Sequence, residues 1–176
     1  IGLIWTVATG QVAALRAVPL KVYLFGTIGL FGYHFLYFTA FRLAPSAETG
    51  LIAYLWPLFI VLLSGLLPGE RLTVAHVLGA MIAFAGAALI VLARAGGEVN
   101  MAGLILAFGC AITWAVYSVA SRFLGQVPTV AVTVYCLATA VLSLGAHLAL
   151  EETVWPPTLL GWASTLALGI GPVGIA

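Results

Sequence analysis

The sequence predicts an all-α membrane protein, a polytopic helical bundle with about seven spanning helices. Three observations predict this fold class. Charged residues make up 6% of the 176 residues and hydrophobic residues 64%, whereas a soluble domain carries about 25% charged residues. The charges are grouped between apolar runs of about twenty residues, the length that crosses a bilayer. Six of the eight prolines fall in the same intervals, where helices are expected to stop.

Seven apolar segments justify the helices in chain order, and the first and last are shorter than a full span. The chain begins with Ile1 rather than a methionine and ends at Ala176 within an apolar run. We therefore expect a fragment, or the ordered part, of a longer protein. The segments cover residues 1–15, 22–41, 47–67, 73–93, 101–121, 129–149 and 158–176.

Short charged connections join these segments, so neighbouring helices are expected to run antiparallel and the connections to alternate between the two membrane faces. The first, third and fifth connections hold four basic residues, and the other three hold two, Arg42 and Arg94. The positive-inside rule then assigns the first set to the cytoplasm. Its basic residues are Arg16, Lys21, Arg71 and Arg122.

The composition also excludes several functional classes. The net charge is +1 and the basic residues are scattered, so a nucleic-acid surface is not expected. The chain has no Asp and no G-x-x-x-x-G-K-[ST] motif, which excludes Asp-rich metal sites, a Ser-His-Asp triad and ATP hydrolysis. Cys110 and Cys136 lie in apolar runs and are expected to be small buried side chains. We expect neither enzymatic activity nor a metal or cofactor.

The third segment carries a proline in the middle of an apolar helix. Pro57 lacks an N–H group and pushes against the carbonyl of Ala53, so a kink is expected there. Tyr54 and Trp56 flank this kink at a depth where such rings need a polar partner or a wet cavity. One interpretation is the wall of a cavity, and the other is a kinked helix whose aromatic side chains only pack.

The second and fifth segments present further rings. Tyr33 and Tyr37 are i,i+4 neighbours, and Trp114, Tyr117 and Ser118 lie on a stripe of small and polar residues. Such rings can enclose a flat organic solute and hydrogen-bond its polar rim, or hold an ammonium group by cation–π attraction. We expect the rings of the three segments to converge on one central cavity.

Two ionisable residues fall in or near the spans, where an isolated charge is costly. His34 is either a hydrogen-bonded structural side chain or a proton relay. Glu48 begins the third segment, where it either caps a helix N-terminus or meets a substrate ammonium or a proton.

An internal echo suggests a duplicated architecture. Residues 24–34 (LFGTIGLFGYH) resemble residues 166–176 (LALGIGPVGIA), and five connections separate the two segments. The two copies would therefore enter the membrane from opposite faces, which is typical of the inverted repeats of secondary transporters. The matching glycines are expected to let helices slide or rock. They are Gly29 with Gly171 and Gly32 with Gly174.

Two features place the chain near a known family. The run AETGLIAYLWPLFIVLLSGLLPGERL at residues 47–72 resembles the EamA-domain branch of the drug/metabolite transporter superfamily. Its Tyr-Leu-Trp-Pro element, with Trp-Ala-Val-Tyr-Ser at residues 114–118, is similar to bacterial aromatic amino acid exporters. The resemblance implies ten helices in two inverted five-helix repeats. Residues 1–93 would end the first repeat with helices 2–5, and residues 101–176 would begin the second with helices 6–8.

The resemblance also implies a function: export of aromatic or bulky neutral amino acids across the bacterial cytoplasmic membrane by alternating access. Another metabolite or drug is the alternative substrate, and a membrane enzyme or a scaffold is an alternative of a different class. The expected partners are a small-molecule substrate and the lipid bilayer. The substrate-binding positions would be Tyr33, Tyr54, Trp56, Trp114, Tyr117 and Ser118.

Overall fold

A computed structural model describes residues 2–92 and 100–170, and all regular secondary structure in these two ranges is helical. A short 3-10 helix, Ser121–Leu124, extends α7. The α-helices are α1 (Gly2–Ala8), α2 (Val12–Arg16), α3 (Leu20–Leu43), α4 (Ser46–Ala53), α5 (Trp56–Ser64), α6 (Val74–Leu92), α7 (Met101–Ala120), α8 (Ala131–Leu150) and α9 (Leu159–Ile170).

Helices occupy each of the seven predicted segments, although two segments are divided into two helices. Within the described ranges, four helical stretches are long and apolar enough to cross a membrane. The all-helical membrane fold is therefore confirmed, while the count of seven spans and the inverted repeat stay predictions. The four stretches are Leu20–Leu43, Ser46–Ser64, Met101–Leu124 and Ala131–Leu150.

The first segment differs from the single helix that its apolar composition predicts. Gly10 has a φ of 67°, a left-handed conformation that ends α1 and that glycine adopts at little cost. The N–H groups of Gly10 and Gln11 donate to the carbonyls of Val7 at 3.1 Å and Thr6 at 3.0 Å, which satisfies two of the acceptors at the end of α1. The turn thus separates α1 from α2.

The start of α7 agrees with the predicted boundary because Asn100 caps it. The Asn100 side-chain oxygen accepts hydrogen bonds from the backbone N–H groups of Ala102 at 3.0 Å and Gly103 at 3.4 Å. A cap of this kind satisfies N–H groups that have no partner within the helix.

The chain divides into two compact units. One comprises Ile1–Thr27 and Gln126–Ala176, and in it α1 packs against α8, with the Thr6 and Thr133 hydroxyl oxygens 3.4 Å apart. The other is Ile28–Gly125, in which α4 and α5 pack against α6 and α7. These units differ from the two predicted repeats, whose boundary stays a prediction.

Apolar side chains face outward on the spanning helices. Ile28 of α3 is 67% exposed and Val141 of α8 is 70% exposed. In water such surfaces would be unfavourable, but acyl chains are as apolar as these side chains. The outward surface therefore fits a helix bundle in lipid.

Candidate functional site

The centre of the Ile28–Gly125 unit contains a break in a helix. Helix α4 ends at Ala53, and α5 begins at Trp56 with Pro57 in its first turn. Tyr54 has φ −71° and ψ 7°, and the Leu55 N–H bonds to the carbonyl of Ile52 at 3.1 Å, a tight i→i−3 turn. Because proline has no N–H to donate toward Ala53, an uninterrupted α-helix is disfavoured here. We call residues Tyr54 and Leu55 the break.

Helix α7 packs against α4 and α5 on either side of this break and is itself uninterrupted. Its buried face consists of small residues, among them Ala107, Cys110 and Ala111, which are fully buried. A Cβ atom on Gly103 would lie 2.5 Å from the Cβ atom and 2.9 Å from the backbone nitrogen of Ala44. Small side chains thus allow the close backbone approach that holds helices together in lipid.

Rings from α3 and α7 meet in this unit. The ring centroids of Tyr33 and Trp114 are 4.7 Å apart, within the range of favourable aromatic pairs. Tyr37 stacks on Tyr33 at 5.8 Å, and Tyr117 lies 5.5 Å from Trp114. Helices that are far apart in sequence therefore share one aromatic cluster.

The cluster borders a cavity of about 260 Å³, which we call the ring cavity. Four of the six candidate substrate-binding residues line it, so side chains from three helical segments border one cavity. Tyr37 also lines the cavity, as does Ala53, a small buried residue that the sequence did not predict as part of the site. The lining residues are Tyr33, Tyr37, Ala53, Tyr54, Trp56 and Trp114.

The other two candidates, Tyr117 and Ser118, do not line the ring cavity. A Cβ atom on Gly29 would clash with the Tyr117 ring, so this ring rests directly on the α3 backbone. Ser118 is half-buried, one turn beyond Trp114. Spacing along α7 predicted the face of the helix that Tyr117 shares with Trp114. It did not reveal how closely Gly29 allows α3 to approach.

The candidate hinge glycines fall into two groups. Gly29 and Gly32 both face α7, and a Cβ atom on Gly32 would make an ordinary contact with Thr113 at 3.8 Å. The close approach of α3 to α7 therefore requires a glycine at position 29, whereas position 32 tolerates a larger residue. Gly171 and Gly174 lie outside the described residues.

The two candidate ionisable residues do not line the ring cavity. The His34 ring makes an edge contact with Tyr33 at 5.1 Å, and its Nδ1 atom is 2.8 Å from the carbonyl oxygen of Leu30. Glu48 lies in the first turn of α4, where a carboxylate is favourable. The adjacent Thr49 is fully buried, and its hydroxyl has no hydrogen-bond partner among the described residues.

The described residues contain no group of three or more metal-ligating side chains. Cys110 is buried and Cys136 is half-buried, and both are free thiols. The aromatic lining of the ring cavity offers stacking, cation–π attraction and hydrogen bonds from tyrosine hydroxyls and indole N–H groups.

Comparison with known proteins gives a consistent result. The profile described as the EamA-like transporter family matches residues 1–92. The aromatic amino acid exporter YddG of Ancylobacter novellus is 50% identical over 182 residues, covering 100% of this chain. The uncharacterized transporter YvbV of Bacillus subtilis is 33% identical over 82 residues, or 47% of this chain and 27% of YvbV.

A solved crystal structure is also similar, at 52% identity and a TM-score of 0.85. The similarity covers 99% of this chain and 61% of the solved chain. This chain likewise spans 62% of the length of the Ancylobacter exporter that it matches.

Proposed function

The chain belongs to the EamA-like transporter family, and from this premise we propose that the protein exports aromatic amino acids across the bacterial cytoplasmic membrane by alternating access. The 50% identity to an aromatic amino acid exporter over the full length of this chain supports this substrate class. Membership of a transporter family argues against the membrane-enzyme alternative.

The single observation that carries the proposal is the ring cavity. Its volume of about 260 Å³ lies just below the range of about 300–1,000 Å³ typical of sites for drug-sized ligands, and so suits a solute of amino-acid size. Tyr33 and Trp114 would stack on the substrate ring, while Tyr54 and Trp56 would enclose it at the break. Rings at this spacing also attract an ammonium group.

The remaining site residues have supporting roles in this proposal. Tyr117 would hold Trp114 in position through its ring contact, and Ser118 would provide a polar contact on the same helix. Gly29 and Pro57 would permit movement at the α3–α7 contact and at the break. His34 and Glu48 are the candidate groups for proton coupling or for binding a substrate ammonium.

The proposed architecture is an inverted five-plus-five repeat, with residues 1–93 in the first repeat and residues 101–176 in the second. One contact supports the alternation of connections between membrane faces. Arg122 Nη2 lies 3.4 Å from Glu70 Oε1, so the third and fifth connections meet on one face, the one that the positive-inside rule assigns to the cytoplasm.

Counterflow in liposomes tests the substrate class. Full-length protein is reconstituted into liposomes preloaded with unlabelled phenylalanine, and entry of labelled phenylalanine is measured with and without a proton gradient. We expect Trp56→Ala and Trp114→Ala to slow exchange by about tenfold or more, because a buried aromatic anchor contributes about 2 kcal/mol or more to binding. The effect of the gradient shows whether exchange is coupled to protons.

The matched control is Trp155→Ala. Trp155 is exposed and stacks on Trp162 in the other compact unit, so this variant is expected to exchange phenylalanine at the normal rate. Inhibition by tetraphenylphosphonium but not by phenylalanine or tryptophan would contradict the proposal and favour a drug or another metabolite as substrate.

A further inference from the structure

A second cavity of about 470 Å³ lies between the broken helix and α6. We call it the α6 groove. Its α6 side is built from small residues, Gly79, Ala80 and Ala83, and its other side includes Leu55, Leu58 and Val61. Of the described residues that line it, only Tyr54 and His76 have polar side chains. The groove can therefore accept apolar bulk, but it offers little to a charged amino or carboxyl group.

Among the described residues, Tyr54 is the one that lines both the ring cavity and the α6 groove. Its immediate neighbours each line one of them: Ala53 borders the ring cavity and Leu55 borders the groove. The backbone of the break thus runs between the two spaces, and the Tyr54 ring stands at their common boundary.

The conformation of the break explains why this ring occupies the boundary. Ala53 is 3% exposed and Leu55 is 8% exposed, so both are anchored by packing, whereas Tyr54 between them is 69% exposed. The Tyr54 N–H still donates to the carbonyl of Gly50 at 2.9 Å, as in a helix, so its side chain points about 100° around the axis from that of Ala53. The ψ of 7° at Tyr54 then departs from helical geometry and redirects the chain after it.

We infer that Tyr54 is a specificity-determining partition, whose ring limits the size of the aromatic substrate by separating the ring cavity from the α6 groove. This inference rests on the proposed function. A single-ring or indole side chain fits the ring cavity alone. An amino acid with an extended biaryl side chain needs the groove as well, and the tyrosine ring blocks its entry.

Replacement of Tyr54 tests the partition in the counterflow assay. The readout is the concentration of unlabelled phenylalanine needed to halve exchange, divided by that of 4-phenylphenylalanine. In the unaltered protein we expect phenylalanine to compete better. In Tyr54→Ala we expect this ratio to rise by about tenfold or more, because 4-phenylphenylalanine then competes better. Tenfold is the scale on which pocket size discriminates between apolar groups.

Three variants separate a partition from general loosening. Tyr54→Phe keeps the ring and is expected to keep the ratio. Phe84→Ala shortens a side chain on the α6 side of the groove without opening the boundary, and it is also expected to keep the ratio. Gly79→Phe, placed where a side chain meets open space, fills the groove and restores the original ratio in the Tyr54→Ala background.

Tyr54→Leu provides a second opening if the alanine variant does not fold, with an expected shift of about threefold. An unchanged ratio in a folded Tyr54→Ala or Tyr54→Leu protein overturns the partition. So does a shifted ratio that Gly79→Phe fails to reverse. Absence of phenylalanine exchange in the unaltered protein instead overturns the proposed function, so the two failures are distinguishable.

Discussion

The two helical walls that face each other across the ring cavity are built differently. Helix α7 is continuous from Met101 to Ala120 and has six buried residues. The opposite wall, α4 and α5, is interrupted at the break, and none of the residues of α5 is buried. Both walls contribute aromatic rings to the cavity, but only one of them is packed tightly along its length.

This difference separates two tasks within one site. Close packing of small residues positions Trp114 on α7 as a fixed reference, because helices in lipid are held mainly by such packing. The break places Tyr54 and Trp56 beside an interruption of the helical hydrogen bonds, where Leu55 bonds i→i−3 and Pro57 has no N–H, so this wall can change shape at lower cost. A transporter needs both properties, since the site must recognise a solute and then release it on the other side.

The largest expected effect comes from disturbing the tightly packed wall. In Gly103→Ala the new methyl group would meet the Ala44 backbone nitrogen at 2.9 Å, and the backbone cannot rotate away as a side chain can. Such overpacking costs about 1–3 kcal/mol. We expect a clearly lower melting temperature in detergent, measured by fluorescence-detected gel filtration after heating.

Gly86→Ala is the control, because a Cβ atom there meets nothing within 4 Å and the substitution favours helix formation. Its melting temperature should be unchanged or slightly higher. If both glycine variants melt alike, α7 is not held by close backbone approach and the contrast between the walls is incorrect.

The second effect targets the break. Pro57→Ala supplies an N–H group that can bond to the carbonyl of Ala53, so α4 and α5 can join into one regular helix. Tyr54 and Trp56 would then diverge, and we expect phenylalanine exchange to slow by about fivefold, equivalent to about 1 kcal/mol. The melting temperature should not fall, because the change adds a backbone hydrogen bond.

Pro157→Ala serves as the matched control, since Pro157 is exposed in the segment that precedes α9. It should leave exchange unaltered. A Pro57→Ala protein that exchanges phenylalanine at the normal rate would show that the interruption is not needed for transport.

The helices were predictable from sequence because lipid leaves little choice. Backbone polar groups in the bilayer must be satisfied internally, so a long apolar run between charges such as Arg122 and Glu151 becomes a helix. The rings of Tyr33, Tyr54, Trp56 and Trp114 were also identifiable, because their polar tips are costly in lipid without a partner.

Two features were not predictable, and both depend on contacts between helices. Tyr117 shares a helix face with Trp114, yet its ring lies on Gly29, because the distance between α3 and α7 is set by packing and not by periodicity. The position of Tyr54 between two cavities likewise depends on where α6 lies against the break. The periodicity of one helix predicts in which direction each of its side chains points. A cavity between helices depends on the distances between the helix axes, which periodicity does not give.

The smallest expected effect concerns the ion pair that joins the two walls at one end. Arg122 follows α7, and Glu70 lies in the connection after α5, with their side chains 58% and 49% exposed. Exposed pairs of this kind contribute about 0.2–1 kcal/mol and weaken with salt. We therefore expect Glu70→Gln and Arg122→Gln each to change the exchange rate by at most about fivefold.

A double-mutant cycle distinguishes a contact between the walls from two independent surface charges. If the pair acts as a unit, the double Gln variant has no larger effect than either single variant, and the exchanged pair Glu70→Arg with Arg122→Glu recovers much of the original rate. Raising the salt concentration should then bring the exchange rate of the unaltered protein closer to that of the variants. Additive effects in the cycle would mean that the tightly packed wall and the broken wall move without this link.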